Sequence, residues 1–195
     1  ATSVANALEL LAARGEGARI LAGGQSLMPA MNLRLLSPEL LVDIGELAEL
    51  RGIALKDGVL TIGALTRHVD ILMSGAIAAH APLLVQAVAH IGHPAIRNRG
   101  TIGGSLAHAD PASELPACMV TLGATLVARG PNGERRIAAD EFFTGIYQTV
   151  LSPQELLVAV ELPAASKDST CFFDEFARRR GDYALVGLAA QLVVE

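Results

Sequence analysis

One stretch, Ala22-Gly23-Gly24-Gln25-Ser26-Leu27-Met28-Pro29, constrains this chain most, through what flanks it. Ala18 to Leu21 reads as a short buried strand running into the glycines, and Leu27 to Leu35 suits a short helix with Pro29 in its first turn. Leu40 to Ile44, opened by the Ser37-Pro38 turn, reads as a second buried strand. Strand, turn, helix and strand make a small parallel unit. A turn free of side chains at the head of a helix lets backbone N–H groups approach an anion closely. Upstream, Thr2 or Ser3 can cap a helix carrying Val4, Leu8 and Leu11 that Gly15 or Gly17 stops. Residues 1–50 are therefore expected to form an N-terminal α/β lobe.

Near Leu50 the pattern becomes antiparallel. Gly52 to Lys56 and Val59 to Ile62 flank Asp57-Gly58, a two-residue hairpin signal. Thr125 to Ala128 and Arg135 to Ala138 likewise flank Pro131-Asn132-Gly133-Glu134. Leu156, Val158, Val160 and Leu162 alternate with their neighbours in a strand that Pro163 ends. Between these, Thr66 can cap a helix carrying Val69, Leu72 and Met73, Pro82 can begin another that stops at Gly92, and Pro116 to Leu122 reads as a third. A second glycine turn, Thr101-Ile102-Gly103-Gly104-Ser105, follows the Arg97-Asn98-Arg99-Gly100 loop. Residues 51–165 thus read as a second α+β lobe built on an antiparallel sheet. Ala164 to Ser169 is a boundary, and residues 166–195 read as the beginning of a third α+β lobe. There Phe172, Asp174 and Phe176 share one face of a strand, and Ala184 to Glu195 is expected to be helix passing into strand. The chain starts without Met and stops inside an apolar run, so it reads as a portion of a longer polypeptide.

Composition narrows the function. The 195 residues are 51% apolar, yet no run approaches the roughly 18 apolar residues of a membrane span. Net charge is −5 and aromatics are 4%, so both the basic footprint and the stacking platforms of a nucleic-acid binder are missing. Cys118 and Cys171 belong to no ligand set or CxxC motif, which implies reduced thiols and a cytoplasmic protein. His90, His93 and His108 have no metal-site spacing, and no metal is expected.

Spacing alone leaves two readings of the glycine turns: phosphate-binding loops, or the ordinary turns and helix ends that use glycine everywhere. The first turn lacks the Lys of G-x-x-x-x-G-K-[ST], and neither supplies G-x-G-x-x-G. The longer context is more specific. Leu21-Ala22-Gly23-Gly24-Gln25-Ser26-Leu27-Met28-Pro29 forms the first segment. Ile96-Arg97-Asn98-Arg99-Gly100-Thr101-Ile102-Gly103-Gly104-Ser105, with Asp110-Pro111 and Glu114-Leu115-Pro116, forms the second. Together they resemble the two signature segments of the FAD-binding medium subunits of molybdenum hydroxylases, the flavin subunits of carbon monoxide dehydrogenase and the corresponding part of xanthine dehydrogenase. The resemblance runs to Arg178-Arg179-Arg180-Gly181-Asp182-Tyr183.

That resemblance implies a PCMH-type FAD-binding fold, α+β overall, with a small parallel βαβ lobe, a larger antiparallel lobe with helices and the start of a third. It implies that Gly23, Gly24, Gln25 and Ser26 hold the FAD pyrophosphate through backbone N–H groups, with Leu21, Ala22 and Leu27 lining the approach. Thr101, Gly103, Gly104 and Ser105 would close over it, and Glu114, with Asp110 as the fallback, would accept from the ribose hydroxyls. His108 would lie near the nucleotide, Tyr183 against the isoalloxazine and Leu157 against the FAD. Read without the family, Tyr183 is an amphipathic lobe-edge residue, Glu114 an N-terminal helix carboxylate and the Arg178 to Arg180 run a solvated segment. Ala177 and Ile91 stand where the xanthine dehydrogenases have a flavin-contacting Lys and an aromatic ring, so that branch's flavin environment does not transfer.

The function implied is that of an FAD-binding electron-transfer subunit. Iron-sulfur clusters would reside on a small partner subunit and molybdopterin on a large one, since this chain lacks a cluster-binding Cys set. Electrons would pass from the clusters through FAD to an external acceptor, with no catalytic side chain here. A self-contained FAD oxidase or reductase and a flavin-free interaction module are the alternative readings.

Overall fold

The structure is a computed structural model that describes residues 1–166, 168–179 and 181–193. Helix α1 (Val4–Arg14) begins where the Ser3 side chain accepts from the Asn6 N–H and ends at Gly15, which takes φ 50°. Its buried stripe is Val4, Ala7 and Leu11, with Leu8 only half-buried. Strand β1 (Ala18–Leu21), helix α2 (Leu27–Asn32) and strand β2 (Leu40–Asp43) follow. The two strands pair in parallel from Ala18 opposite Leu40 to Leu21 opposite Asp43, which is the expected unit. They are half-buried rather than buried, because a two-stranded sheet with one packed face covers its outer positions incompletely.

Strands β3 (Ile53–Lys56) and β4 (Val59–Gly63) are joined by Asp57 and Gly58, both at positive φ, as a tight hairpin turn of this type requires. Helix α3 (His68–Met73) starts later than expected. Thr66 does not cap it but donates its hydroxyl to the Gly52 carbonyl, and the Asp70 carboxylate accepts from the Arg67 N–H instead. α3 consequently buries His68 and Ile71 and leaves Met73 exposed. Helices α4 (Gly75–His80), α5 (Pro82–His90), α6 (Pro94–Arg97), α7 (Ile102–His108) and α8 (Glu114–Thr121) succeed it. The second glycine pair is therefore not a free turn: Gly103 and Gly104 lie in the first turn of α7, started by Thr101, whose Oγ1 accepts from the Gly104 N–H.

Strands β5 (Thr125–Gly130) and β6 (Gly133–Ala138), helix α9 (Ala139–Phe142), the short ribbon β7 (Phe143–Gly145) and β8 (Gln148–Thr149), and strand β9 (Leu156–Pro163) complete the antiparallel part. Its five-stranded sheet runs β3-β4-β9-β5-β6. The alternation expected along β9 is broken between Leu157 and Ala159, where the register against β5 shifts and both Val158 and Ala159 face the same way. Leu156 and Val158 pack with α1 and β2, whereas Leu157, Val160 and Leu162 pack under the helices with Leu106 and Leu115.

Strands β10 (Ser169–Ala177) and β11 (Ala184–Val193) form a long antiparallel hairpin. The helix expected at the start of the last segment is absent: Ala184 onward is strand, paired with β10 in continuous register from Val186 to Val193. Phe173 is buried in the main core, and Gln86 of α5 donates to the Cys171 carbonyl (3.3 Å) and accepts from the Phe173 N–H (2.8 Å). Among the described residues no helix is long and apolar enough to cross a membrane, and no group of side chains could hold a metal ion.

Candidate functional site

The first glycine loop leaves β1 at Leu21 and enters α2 at Leu27. Among the described residues, the amides of Gly23, Gly24, Gln25 and Ser26 donate to no protein acceptor, although the Gly23 carbonyl accepts from the Gln25 side chain. The loop is half-buried to exposed, so these four N–H groups are met by water and are accessible to a ligand. Gly24 has φ 71°, and a left-handed residue in such a run lets successive amides converge on one anion.

The second segment supplies the seat of that loop. Gly23 packs so tightly on Arg99 and Gly100 that a Cβ on it would run into the Arg99 carbonyl and stand 2.9 Å from the Gly100 Cα. Gly104 is bare beside Ala22: an added Cβ would lie 3.8 Å from the Ala22 Cβ and 2.8 Å from the Thr101 Oγ1. The missing side chains let the two segments meet closely there, and the free amides of the first loop are donors of the kind that suit a diphosphate.

The second segment's own amides are already used. Ile102 N–H donates to the Thr66 carbonyl (3.0 Å), Gly103 to that of Ala64 (2.9 Å) and Ser105 to that of Thr101 (3.0 Å). Its contribution is the Ser105 hydroxyl, the exposed Gly104 surface and the stiff backing of residues 64–68. Beneath it His68, whose N–H donates to the Gly100 carbonyl, is buried with neither ring nitrogen hydrogen-bonded. Burial lowers its pKa to about 4, with the Arg97 charge acting in the same direction and the Thr101 backbone opposing it.

At the far end of α7, Ser105 and Ser113 share a hydrogen bond (3.0 Å) and the Asp110 Oδ1 accepts from the Ala112 N–H (2.9 Å). Glu114 opens α8, and burial raises its pKa to about 7; its own backbone N–H opposes this, and the Glu175 and Asp110 carboxylates add to it. The His108 ring stands 5.0 Å from that of Tyr147, which composition and spacing did not single out. Tyr183 lies exposed in the loop between β10 and β11, where Gly181 packs on Gly92 and His93. The structure thus brings Ala22 and Gly23 of the first segment against Arg99, Gly100 and Gly104 of the second, with His108 and Glu114 further along on α7 and α8 and Tyr183 on the loop after β10. Leu157 is not among them: that side chain is covered by the main core. Arg178 is exposed, 3.9 Å from Asp182, and Arg180 lies outside the described residues.

A family model described as "FAD binding domain in molybdopterin dehydrogenase" matches residues 1–165. The chain is 47% identical over 195 residues to the 6-hydroxypseudooxynicotine dehydrogenase complex subunit alpha of Paenarthrobacter nicotinovorans, covering 100% of this chain and 66% of that one. It is 42% identical over 187 residues to the carbon monoxide dehydrogenase medium chain of Hydrogenophaga pseudoflava, covering 96% and 65%. A solved structure of quinoline 2-oxidoreductase from Pseudomonas putida 86 superposes with a TM-score of 0.94 at 43% identity, covering 100% of this chain and 67% of that one. The chain therefore spans just under two thirds of the curated relatives it matches.

Proposed function

The chain belongs to the family of FAD-binding domains of molybdopterin dehydrogenases, and from that premise we propose that it binds FAD across its two glycine segments as the flavin-carrying part of a molybdenum hydroxylase. One observation supports the placement above the rest: the unspent amides of Gly23 to Ser26 sit in a loop whose seat is Arg99-Gly100 of the second segment. The pyrophosphate lies on those amides, walled by Leu21, Ala22 and Leu27 and by Thr101, Gly104 and Ser105. Gly103 backs this wall from inside, packed on Ala64. Glu114 accepts from the ribose hydroxyls, more strongly when ionised, and Tyr183 borders the flavin ring. Leu157 acts by supporting α7 from the core, since its side chain has no open surface.

When bound, FAD supplies the capacity to take up and release electrons. The chain's residues hold its phosphates and orient its ring. The names of the relatives, a medium chain and a complex subunit, support partner subunits. In this proposal a small one carries iron-sulfur clusters and delivers electrons, and a large one carries molybdopterin, where substrate is oxidised. An external acceptor then takes the electrons from the flavin. Residues 1–50 and 51–165 are the two lobes that grip the cofactor, and 166–195 begins a third. The free thiols Cys118 and Cys171 suit the cytoplasm.

Titration of the flavin-free chain with FAD, followed by absorbance and by co-elution on gel filtration, tests the reading. Saturable uptake of one FAD per chain is expected, and no uptake would overturn it.

A further inference from the structure

Directly after the first glycine loop, Leu27 to Leu36 is an apolar run interrupted only by Pro29, Asn32 and Arg34. Such a run normally enters a core, yet α2 buries none of its residues. The turn that follows is barer still: Leu33 and Leu35 are each 72% exposed, and Met28 and Leu36 are open as well. A helix of six residues is far shorter than the about 12–15 that hold together alone in water, and one so short draws its stability from a packed face. This chain does not pack that face.

The bare turn is nevertheless held in place. The Arg34 N–H donates to the Met31 carbonyl (2.9 Å) and the Leu35 N–H to that of Ala30 (2.8 Å), the pair of bonds that closes a helix through one left-handed residue. In that motif the residue after the left-handed one commonly packs back on the helix, but Leu35 stays bare. The left-handed position itself, which glycine takes most easily, is filled by Arg34 at φ 59°. Arg34 is the one charge between residues 22 and 38 and joins none of the ion pairs among the described residues. A strained backbone thus presents a cation between two exposed leucines, and neither the cation nor the leucines serve the packing of this chain.

We propose that the turn Leu33-Arg34-Leu35-Leu36 is the seat of the electron-delivering iron-sulfur subunit, with Arg34 facing a carboxylate of that subunit. The inference rests on the FAD reading above and adds the surface through which the flavin is reached. Position selects the occupant. Electron transfer weakens steeply with separation, so the delivering subunit must sit beside the segment that holds the cofactor. The turn is one helix of about 9 Å from the free amides of Gly23 to Ser26, and it is continuous with them in the backbone. Its chemistry agrees: an apolar patch with a single cation fits a protein surface that is apolar at its centre and carries one acid, whereas a second copy would set Arg34 against the same cation-bearing patch.

The test is assembly of the full chain with the iron-sulfur and molybdopterin subunits of the proposed complex, read by gel filtration and by hydrogen exchange, beside FAD titration of the free chain. The double variant Leu33→Ser, Leu35→Ser is expected to take up FAD within about twofold of the wild type and to bind the iron-sulfur subunit at least about tenfold more weakly. Arg34→Gln is expected to lose about threefold and to flatten the salt dependence of assembly. Amides 33–36 of the wild type should gain protection when that subunit is added and not when FAD is added alone. Undiminished assembly of the double variant would overturn the assignment. So would protection of 33–36 by FAD alone, which would make the cofactor the occupant, or a wild-type dimer that the double variant abolishes, which would make it a second copy. A wild-type chain that takes up FAD but joins neither subunit would overturn the docking surface alone, and one that takes up no FAD would remove the FAD reading with it.

Discussion

Gly23 and Gly24 stand side by side and are glycine for different reasons. Gly24 takes a left-handed φ of 71°, whereas Gly23 lets the Arg99-Gly100 backbone approach to contact. The pair was legible in the sequence as a turn; the second reason was not, because the surface that Gly23 meets belongs to a remote segment. Gly103 shows the same limit, for its place inside α7 follows from the Thr101 cap and its lack of a side chain from Ala64, 2.6 Å from where a Cβ would stand. Gly103→Ala should therefore cost about 1–3 kcal/mol in denaturant unfolding. Gly75→Ala, at an exposed helix start with no neighbour in the way, should instead gain about 0.5 kcal/mol. Gly23→Ala should weaken FAD at least about tenfold by prising the loop from its seat. Equal stability of the three alanine variants would remove the close-approach account.

Among the elements, those announced by local chemistry were readable: the Asp57-Gly58 hairpin, the capped α1 and the strand, turn, helix and strand around the first glycines. β11 was not. Its Ala and Leu content suits helix while its valines suit strand, and what decides is pairing along β10, which a single sequence does not display. β10 in turn would be an open edge, and Gln86 closes it by serving the Phe173 N–H and the Cys171 carbonyl with one amide. Gln86→Leu preserves volume and helix propensity but strands both backbone groups. The expected loss is about 1–3 kcal/mol, with faster hydrogen exchange at the Phe173 amide than elsewhere in the sheet. Uniform acceleration across all strands would instead point to general destabilisation.

For the whole molecule, the meeting of the two glycine segments depends on residues 64–68 backing 100–103, and this region buries a histidine, while α8 beyond the same helix α7 part-buries a glutamate. Their titrations pull stability in opposite directions. His68 titrates at about 4 when folded and near its ordinary 6.5 when unfolded. Between those values the unfolded chain binds a proton that the folded chain refuses, so stability falls as pH falls, by about 3 kcal/mol across the window. Glu114 titrates at about 7 when folded and near 4.5 when unfolded. Between those values the folded chain keeps a proton that the unfolded chain has lost, so stability rises as pH falls, by a similar amount of about 3 kcal/mol. The two slopes offset each other over most of the range from pH 4.5 to 6.5, and the ligand-free wild type should show little dependence from this pair. Removing either group unmasks the other: His68→Leu should become more stable on acidification from pH 7 to 4.5, and Glu114→Gln less stable from pH 6.5 to 4. FAD adds a third measurement, because Glu114 accepts from ribose hydroxyls more strongly once ionised. FAD affinity should then climb as pH rises through 7 in the wild type and stay level in Glu114→Gln, as fluorescence titration would record. Parallel stability profiles in all three proteins would show that neither group carries its proton as the burial of their side chains requires.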